Sequence, residues 1–343
     1  MRRCRRGCSR PISHTAMKIA SFNVQRFGLS KISDPNVLST LIKIVSRYDI
    51  VVILEVVDVT GASVDCFLTE LNRVNKKHHY TLKISSRLGR TRYKEQFLFL
   101  YRDDSVNLVG SYQYEDTQAG DEDVFAREPF ILRFRSITTV LKDLVLIPVH
   151  TKPVDSEREL DELYDVFLAV KRKWKTDNIM ILGDFNADGA YVSSRDMKAI
   201  RIRTDTNFHW LIKDDMDTTA NTRNQHTYDR IVVYGDDMLD AVVPNSAQPF
   251  NFQKAFKLTE EMALDVSDHY PVEVELKSLT DGVMKTIGNL HLGSEGKRSV
   301  GDTHNEELYQ EVLELKKRNQ LLKQEKLKLQ IQLLQMKMAK QQI

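Results

Sequence analysis

Residues 179–189 read IMILGDFNADG, and the two halves of that stretch ask for different surroundings. Ile179, Met180, Ile181 and Leu182 form a run apolar enough for a buried strand. A strand of that kind has no structural need for carboxylates and an amide at its carboxyl end, yet Asp184, Asn186 and Asp188 stand there. The stretch therefore predicts a core strand that delivers oxygen ligands to the rim of a sheet.

The pattern repeats on either side. Between Met17 and about Lys277, KIASFNV (18–24), IVVILEV (50–56), EQFLFLYR (95–102), DLVLIPVH (143–150), NIMILGDF (178–185), DRIVVYG (229–235) and PVEVELK (271–277) are rich in β-branched residues and read as strands. Helical spacing separates them. Leu160, Leu163, Phe167, Val170 and Trp174 make one apolar stripe, behind a Ser156/Glu159 pair that has the form of a capping box. Asp34-Pro35 opens another helix, with Leu38, Leu41, Ile42 and Val45 on its apolar face. Strands this apolar need cover, which predicts an α/β fold of packed sheets flanked by helices.

At 343 residues, 41% hydrophobic and 29% charged, the chain suits one large soluble domain with additions. Its net charge of +2 is unevenly spread: residues 1–16 hold five Arg and no acid, and residues 306–343 hold eight Lys or Arg against five Glu. The stretch between is net acidic, which excludes a passive polyanion-binding surface and means that phosphate chemistry there must recruit cations. Cys4, Cys8 and Cys66 give no disulfide framework. No apolar segment of secretory or membrane-spanning length and no Asn-x-Ser/Thr acceptor occurs. The expectation is a protein of a reducing, intracellular compartment, cytoplasm or nucleus, with no membrane partner. Residues 1–16 read as a basic disordered tail, with a transit or nuclear signal as the alternative.

After the domain at 17–277 the composition changes. Residues 278–304 are Gly- and Ser-rich and read as a flexible linker. From 305 to 343, Leu308, Leu315, Leu322, Leu329, Met336 and Ile343 recur every seven residues, with Val312, Asn319, Lys326 and Leu333 at the intervening core positions. That is a leucine-zipper-like pattern, and it predicts a homo-oligomer or a hetero-partner through this segment. A single amphipathic helix lying on the domain is the competing reading.

Polar residues recur at the strand ends: Asn23, Glu55, His150, Asp184 with Asn186, and Asp268 with His269. Each alone reads as a solvated or hydrogen-bonded rim residue; together they point to a displayed site. Glu55, Asp184, Asn186 and Asp268 offer hard oxygen ligands suited to Mg²⁺, Mn²⁺ or Ca²⁺ rather than Zn²⁺. His150 and His269 can exchange protons near neutrality. With no Gly-rich phosphate loop and no Ser-centred elbow, this set favours water attacking a phosphoester, with a histidine taking its proton.

The segments ASFNVQRF, ILEVVD, REPF, PVHTKP, LYDVFLAV, ILGDFNADG, TYDRIVV and SDHYPVEVEL resemble the deoxyribonuclease I family within the endonuclease/exonuclease/phosphatase superfamily, in order and spacing across residues 17–277. The resemblance implies a four-layered α/β sandwich, two packed mixed β-sheets flanked by helices, here followed by the coiled-coil helix. It also implies a divalent-metal-dependent endonuclease acting on DNA and leaving 5′-phosphate ends. By position it makes His150 and His269 the catalytic histidines, oriented by Glu95 and Asp229. Glu55, Asp184, Asn186, Asp268 and Asn23 become the metal- and phosphate-binding set, Tyr93 an aromatic against DNA sugar, and Arg127 a phosphate contact. Asp123 and Glu128, in the acidic loop YEDTQAGDEDVFAREPF, fall at a structural Ca²⁺ site, with a solvated turn as the alternative.

Departures from the family sharpen the expectations. The disulfide of secreted members would fall at Gly189 and His226, so the loops there should be looser, in keeping with a reducing compartment. Gln25 and Val57 stand near positions where the founding enzyme places groove-reaching arginines, which implies weaker DNA binding. No motif carries over actin binding. Two alternatives remain: another phosphoester substrate (an abasic site, a phospholipid or an inositol phosphate), and a coiled-coil interaction protein built on a weakly active or inactive nuclease fold.

Overall fold

Each of two sheets is built around one pair of parallel strands. The computed structural model describes residues 16–116, 123–221, 223 and 225–279. The basic tail up to residue 15, nearly all of the expected linker and the heptad segment 305–343 lie outside the described residues.

The described strands are β1 (Met17–Phe27), β2 (Ile50–Val56), β3 (Tyr80–Ile84), β4 (Gln96–Arg102), β5 (Val106–Gln113), β6 (Phe130–Ser136), β7 (Asp143–His150), β8 (Ile179–Asp184), β9 (Phe208–Trp210), β10 (Asp229–Tyr234), β11 (Gln248–Pro249) and β12 (Val272–Leu276). One sheet runs β11-β12-β1-β2-β4-β3 and the other β5-β6-β7-β8-β10-β9. In each, the central pair is parallel (β1 with β2, β7 with β8) and its flanking neighbours are antiparallel. The helices are α1 (Leu29–Ile32), α2 (Pro35–Val45), α3 (Ala62–Val74), α4 (Ser156–Trp174), α5 (Arg201–Thr204), α6 (Asp236–Ala241), α7 (Phe252–Phe256) and α8 (Glu260–Val266).

Strand alternation sorts the apolar residues into three cores. Met17, Ile19, Ile50, Val52, Phe99, Leu146, Met180 and Ile231 point between the sheets. Ala20, Phe22, Val51 and Ile53 point out of the first sheet onto α2, α3 and α8, where Leu41, Phe67 and Ala263 meet them. Val145, Ile147, Ile179 and Ile181 point out of the second onto Leu160, Leu163 and Phe167 of α4. Successive side chains on opposite faces of a strand require this arrangement once both faces are apolar. The result is the expected helix–sheet–sheet–helix sandwich. No helix among the described residues is long and apolar enough to cross a membrane.

The sequence reading misses β3, β5, β6 and the short β9 and β11. The outer strands alternate apolar with exposed or half-buried residues, as in VNLVGSYQ, and FILRFRS carries Arg133 and Arg135 on its partly exposed positions. Helix α2 starts as expected: Asp34 Oδ1 accepts from Asn36 N at 2.7 Å and Val37 N at 3.2 Å. Helix α4 has its expected span, but the capping box does not form. A 3-10 turn, Pro153–Asp155, precedes it, and Ser156 Oγ bonds to Thr151 Oγ1 and Lys152 O instead.

Glu159 is drawn inward because two loop amides need an acceptor: Oε1 takes Ala126 N at 3.3 Å and Lys152 N at 3.2 Å, while Oε2 is buried with no hydrogen-bond partner. Burial pushes this carboxyl up to about 7, against those two amides and the positive charge of Arg127. The protonated side chain is therefore the one that the fold favours. Its stabilisation is complete below the unfolded value near 4.5 and is lost as pH rises through 7. Glu159→Gln should raise the melting temperature at pH 8 by a few degrees, on the order of 1–3 kcal/mol. By pH 4, below the unfolded value, the difference from the unsubstituted chain should vanish in calorimetric scans.

Candidate active site

The alternation that fills the inter-sheet core also builds the site. On β1 the positions facing the other sheet run Met17, Ile19, Ser21, Asn23; on β8 they run Met180, Leu182, Asp184; on β7, Leu144, Leu146, Pro148, His150. Glu95 precedes Phe97 and Phe99 in the same phase, and Asp229 precedes Ile231 and Val233. The parallel strands end, and the antiparallel β4, β10 and β12 begin, at one edge. The core there gives way to ionisable groups.

Register fixes their neighbours. Asp184 is paired across the second sheet with His150 on one side and Asp229 on the other. The close β7/β8 approach depends on Gly183, at φ +150°, where a Cβ would lie 1.9 Å from the Val149 carbonyl oxygen. In the first sheet, the β1/β2 pairing stops at Asn23–Leu54 and resumes at Phe27–Val56. Gln25, Arg26 and Glu55 occupy that bulge with φ of 53°, 59° and 58°.

All of the strand-end residues expected to form a site come together. Asn23 Nδ2 donates at 3.0 Å both to Glu55 Oε1 and to Asp184 Oδ2, and Arg26 N donates to Glu55 Oε2 at 3.0 Å. His150 Nδ1 lies 2.7 Å from Glu95 Oε2, and His269 Nδ1 lies 2.7 Å from Asp229 Oδ2. The Nε2 atoms of both imidazoles converge on Asp184 Oδ2, each at 3.7 Å. His150 Nε2 is also 3.8 Å from Glu55, and His269 Nε2 is 3.9 Å from Asp268. Asn186 donates its side-chain amide to Thr151 O and its backbone N–H to Asp184 Oδ1.

Burial and pairing oppose each other here. Burial pushes the Glu95 carboxyl up, but His150 and Arg127 hold it below the usual carboxylate range. Burial and Arg127 push His150 down, and Glu95 with Asp184 outweighs them and holds it raised. For the Asp229–His269 pair, burial drives the imidazole down, while Asp229, Asp184 and Asp268 together hold it well above its ordinary range. In each dyad the carboxylate fixes Nδ1 and leaves Nε2 for chemistry.

Asp184, Asp229 and His269 offer ligand atoms within 4.8 Å of one another. Chemistry favours the opposite side of Asp184 for a hard cation, because Asp229 Oδ2 and His269 Nδ1 are already committed to each other. Glu55 and Asp184 present carboxylate oxygens to one amide, and Asp268 Oδ1 is buried without a hydrogen-bond partner. The oxygen-rich donor set fits a divalent cation.

The outlying residues are placed less uniformly. Tyr93 stands exposed on the rim with its hydroxyl against Glu95, and burial pushes that hydroxyl's pKa up. Arg127, expected at a phosphate, donates to His150 O and Thr151 O at 3.0 Å and lies 3.5 Å from Glu95. A guanidinium so placed presents only its remaining edge to a substrate. Asp123 is exposed and paired with Arg90, and the described part of the acidic loop gathers no third ligand around it and Glu128. The sequence reading overlooks Asp116, whose Oδ2 accepts from Val124 N and Phe125 N while Oδ1 is buried without a partner. It also overlooks Ser267, whose hydroxyl donates to Asn23 O at 2.6 Å and accepts from His269 N. Nothing in local spacing marks either one.

Comparison with known proteins is consistent with this geometry. The sequence model of the Endonuclease/Exonuclease/phosphatase family matches residues 20–269. Human deoxyribonuclease gamma is 48% identical over 267 residues, covering 78% of this chain and 88% of that protein. Rabbit (Oryctolagus cuniculus) deoxyribonuclease-1 is 46% identical over 262 residues, covering 76% and 92%. A crystal structure of humanized D. rerio TDP2 superposes with a TM-score of 0.53 at 16% identity, covering 76% of this chain and 98% of that one, which speaks for the fold alone.

Gly189 and His226, the positions at which the family resemblance implies a disulfide, lie side by side. A Cβ on Gly189 would meet His226 Cε1 at 2.9 Å. His226 Nδ1 lies 3.3 Å from Asp188 Oδ2, which also accepts from Thr227 N at 2.9 Å, and the imidazole stacks on Tyr228 at 4.8 Å. A polar brace joins the loops at these two positions. Cys66, the one cysteine among the described residues, is free. Reductant should leave the melting temperature unchanged, and a reductant-induced drop would contradict this account. His226→Ala should lower stability by about 1–2 kcal/mol in denaturant titrations.

Proposed function

This chain belongs to the deoxyribonuclease I group of the endonuclease/exonuclease/phosphatase family, and from that premise we propose that it is an endonuclease that hydrolyses DNA phosphodiester bonds with a divalent cation. The observation that carries the reading is the pair of carboxylate-backed imidazoles converging on Asp184 at 3.7 Å. A water oxygen forms a bond to phosphorus as the bond to the 3′ oxygen breaks, leaving a 5′-phosphate and a 3′-hydroxyl. Two protons must move, one off the water and one onto the leaving oxygen. His150 and His269 supply the two Nε2 atoms for those transfers. Glu95 and Asp229 hold the rings in one orientation and keep Nδ1 protonated.

Glu55 and Asp184, with Asn186, Asp268 and Asn23 beside them, are the residues we assign to holding Mg²⁺ or Mn²⁺. Bound there, the cation supplies charge stabilisation to the phosphoryl oxygens. Asn23 sets the separation of the two principal carboxylates. Tyr93 and Arg26 offer the rim an aromatic face and a cation for the nucleic-acid backbone. A structural Ca²⁺ at the acidic loop is a further part of the proposal, supported by the orphaned Asp116 oxygen. A reducing, intracellular setting accords with a brace made from Asp188 and His226 in place of sulfur. Oligomerisation through residues 305–343 rests on the heptad pattern.

The test is nicking of supercoiled plasmid by the full chain in Mg²⁺, with and without Ca²⁺. Nicked circles should form and should disappear with chelator. His150→Ala and His269→Ala should each lower turnover by about 10²–10⁴-fold. Near-normal turnover in either variant would remove that histidine from the reaction. No nicking by the folded, unsubstituted chain would overturn the nuclease reading in favour of another phosphoester.

A further inference from the structure

We propose that Lys31 is a positioning residue of this site, a partly buried ammonium that holds the bulge between Asn23 and Phe27 in place and ties it to the turn that carries Asp268 and His269. Lys31 sits on α1, immediately after that bulge. Its Nζ donates to Val24 O at 2.8 Å and to Val266 O at 2.7 Å. Val24 follows Asn23, inside the break in β1/β2 pairing, where the ladder offers its carbonyl no partner. Val266 ends α8, so its carbonyl is one of the unsatisfied acceptors at a helix C-terminus, where a cation is favourable.

The bulge needs such a fastening. Gln25 and Arg26 are consecutive non-glycine residues in the left-handed region, and Glu55 opposite them is a third. Each such conformation is costly and persists only where its surroundings fix it. Gln25 N donates to Asn23 Oδ1 and Arg26 N to Glu55 Oε2, which ties the bulge to itself and to β2. Lys31 is the link that runs to the other side, across to α8. Ser267 provides a parallel link, from its hydroxyl to Asn23 O. Burial pushes the Lys31 ammonium down to about 8, with Asp268, Glu55 and Asp265 pulling it back up. Its hydrogen bonds run to two backbone carbonyls and not to Tyr93 or Arg26, the side chains offered to the nucleic-acid backbone. Its effect should therefore appear in cation binding and turnover rather than in substrate affinity.

The inference rests on the metal-site reading above, so its first readout needs no DNA. Mn²⁺ titration of the purified full chain, followed by electron paramagnetic resonance, gives the dissociation constant for the unsubstituted protein, Lys31→Met and Lys31→Arg. The Met variant should bind Mn²⁺ about 5–50-fold more weakly, within the range for lost outer-shell support of metal ligands. In plasmid nicking its kcat should fall about ten-fold or more while KM for DNA stays within about three-fold. Arginine, which keeps the charge and donors, should recover much of both losses. Should Lys31→Met fail to fold, Lys31→Gln, with one amide donor, takes the same measurements. A folded Met or Gln variant with Mn²⁺ affinity and kcat within two-fold of the unsubstituted chain overturns the proposal. So does a variant whose activity falls only with its folded fraction, or an unsubstituted chain that binds no Mn²⁺. Absence of nicking with intact Mn²⁺ binding would sink the nuclease reading alone, and the titration would still decide the role of Lys31.

Discussion

The amide of Asn23 donates at 3.0 Å to carboxylates from both sheets, Glu55 of the first and Asp184 of the second. Two sheets packed face to face normally stand about 10 Å apart, filled by apolar side chains. At this edge the filling is polar, and one short side chain spans the gap to bring the carboxylates to a common point. The rest of the site depends on that spacing. His150 reaches Asp184 as its register partner on β7, and His269 reaches the same oxygen from the turn before β12.

Such a point concentrates negative charge. Glu55, Glu95, Asp184 and Asp229 are all wholly or largely shielded from water, and Asp268 stands at their margin. Unpaired buried charge is costly, so each carboxylate must find a cation or donors. Glu95 has His150 and Arg127, Asp229 has His269, and Glu55 has two N–H donors. Asp184 is shared among Asn23, both histidines and its own loop backbone. The arrangement still leaves Asp229 Oδ1 and Asp268 Oδ1 without hydrogen-bond partners, and the second belongs to the set assigned to the cation.

Much of this was legible in the sequence because one periodicity encodes both core and site. A reader who assigns Met180 and Leu182 to the inter-sheet face has already assigned Asp184 to it, and the same parity carries Asn23 and His150. Edge strands such as β5 were illegible because half of their residues face water and their apolar signal is diluted. The capping box at Ser156 and Glu159 failed for a different reason: a distant loop competed for the carboxylate, and local spacing carries no record of distant competitors. Asp116, Ser267 and Lys31 escaped for the same reason. They act through backbone amides and carbonyls of other segments, which no motif spells out. The resemblance to a family, rather than spacing, located Glu95 and Asp229.

The same competition explains where the backbone is strained. Eight non-glycine residues among those described have positive φ, and four of them, Gln25, Arg26, Glu55 and Asn186, belong to the site. Strain of this kind is tolerated where surrounding structure over-determines it. Here the surroundings are two sheets with apolar residues on both faces, which hold the strand ends rigidly and leave only short turns to deform. Asn186 shows the principle in miniature. Its φ of 47° follows a buried strand end, and its side chain is tied to Thr151 O while its N–H is tied to Asp184. A flexible loop could present the same residue types without strain, but it would have to order them anew on each encounter with a cation. Holding them strained moves that ordering into folding, where the apolar sandwich supports it.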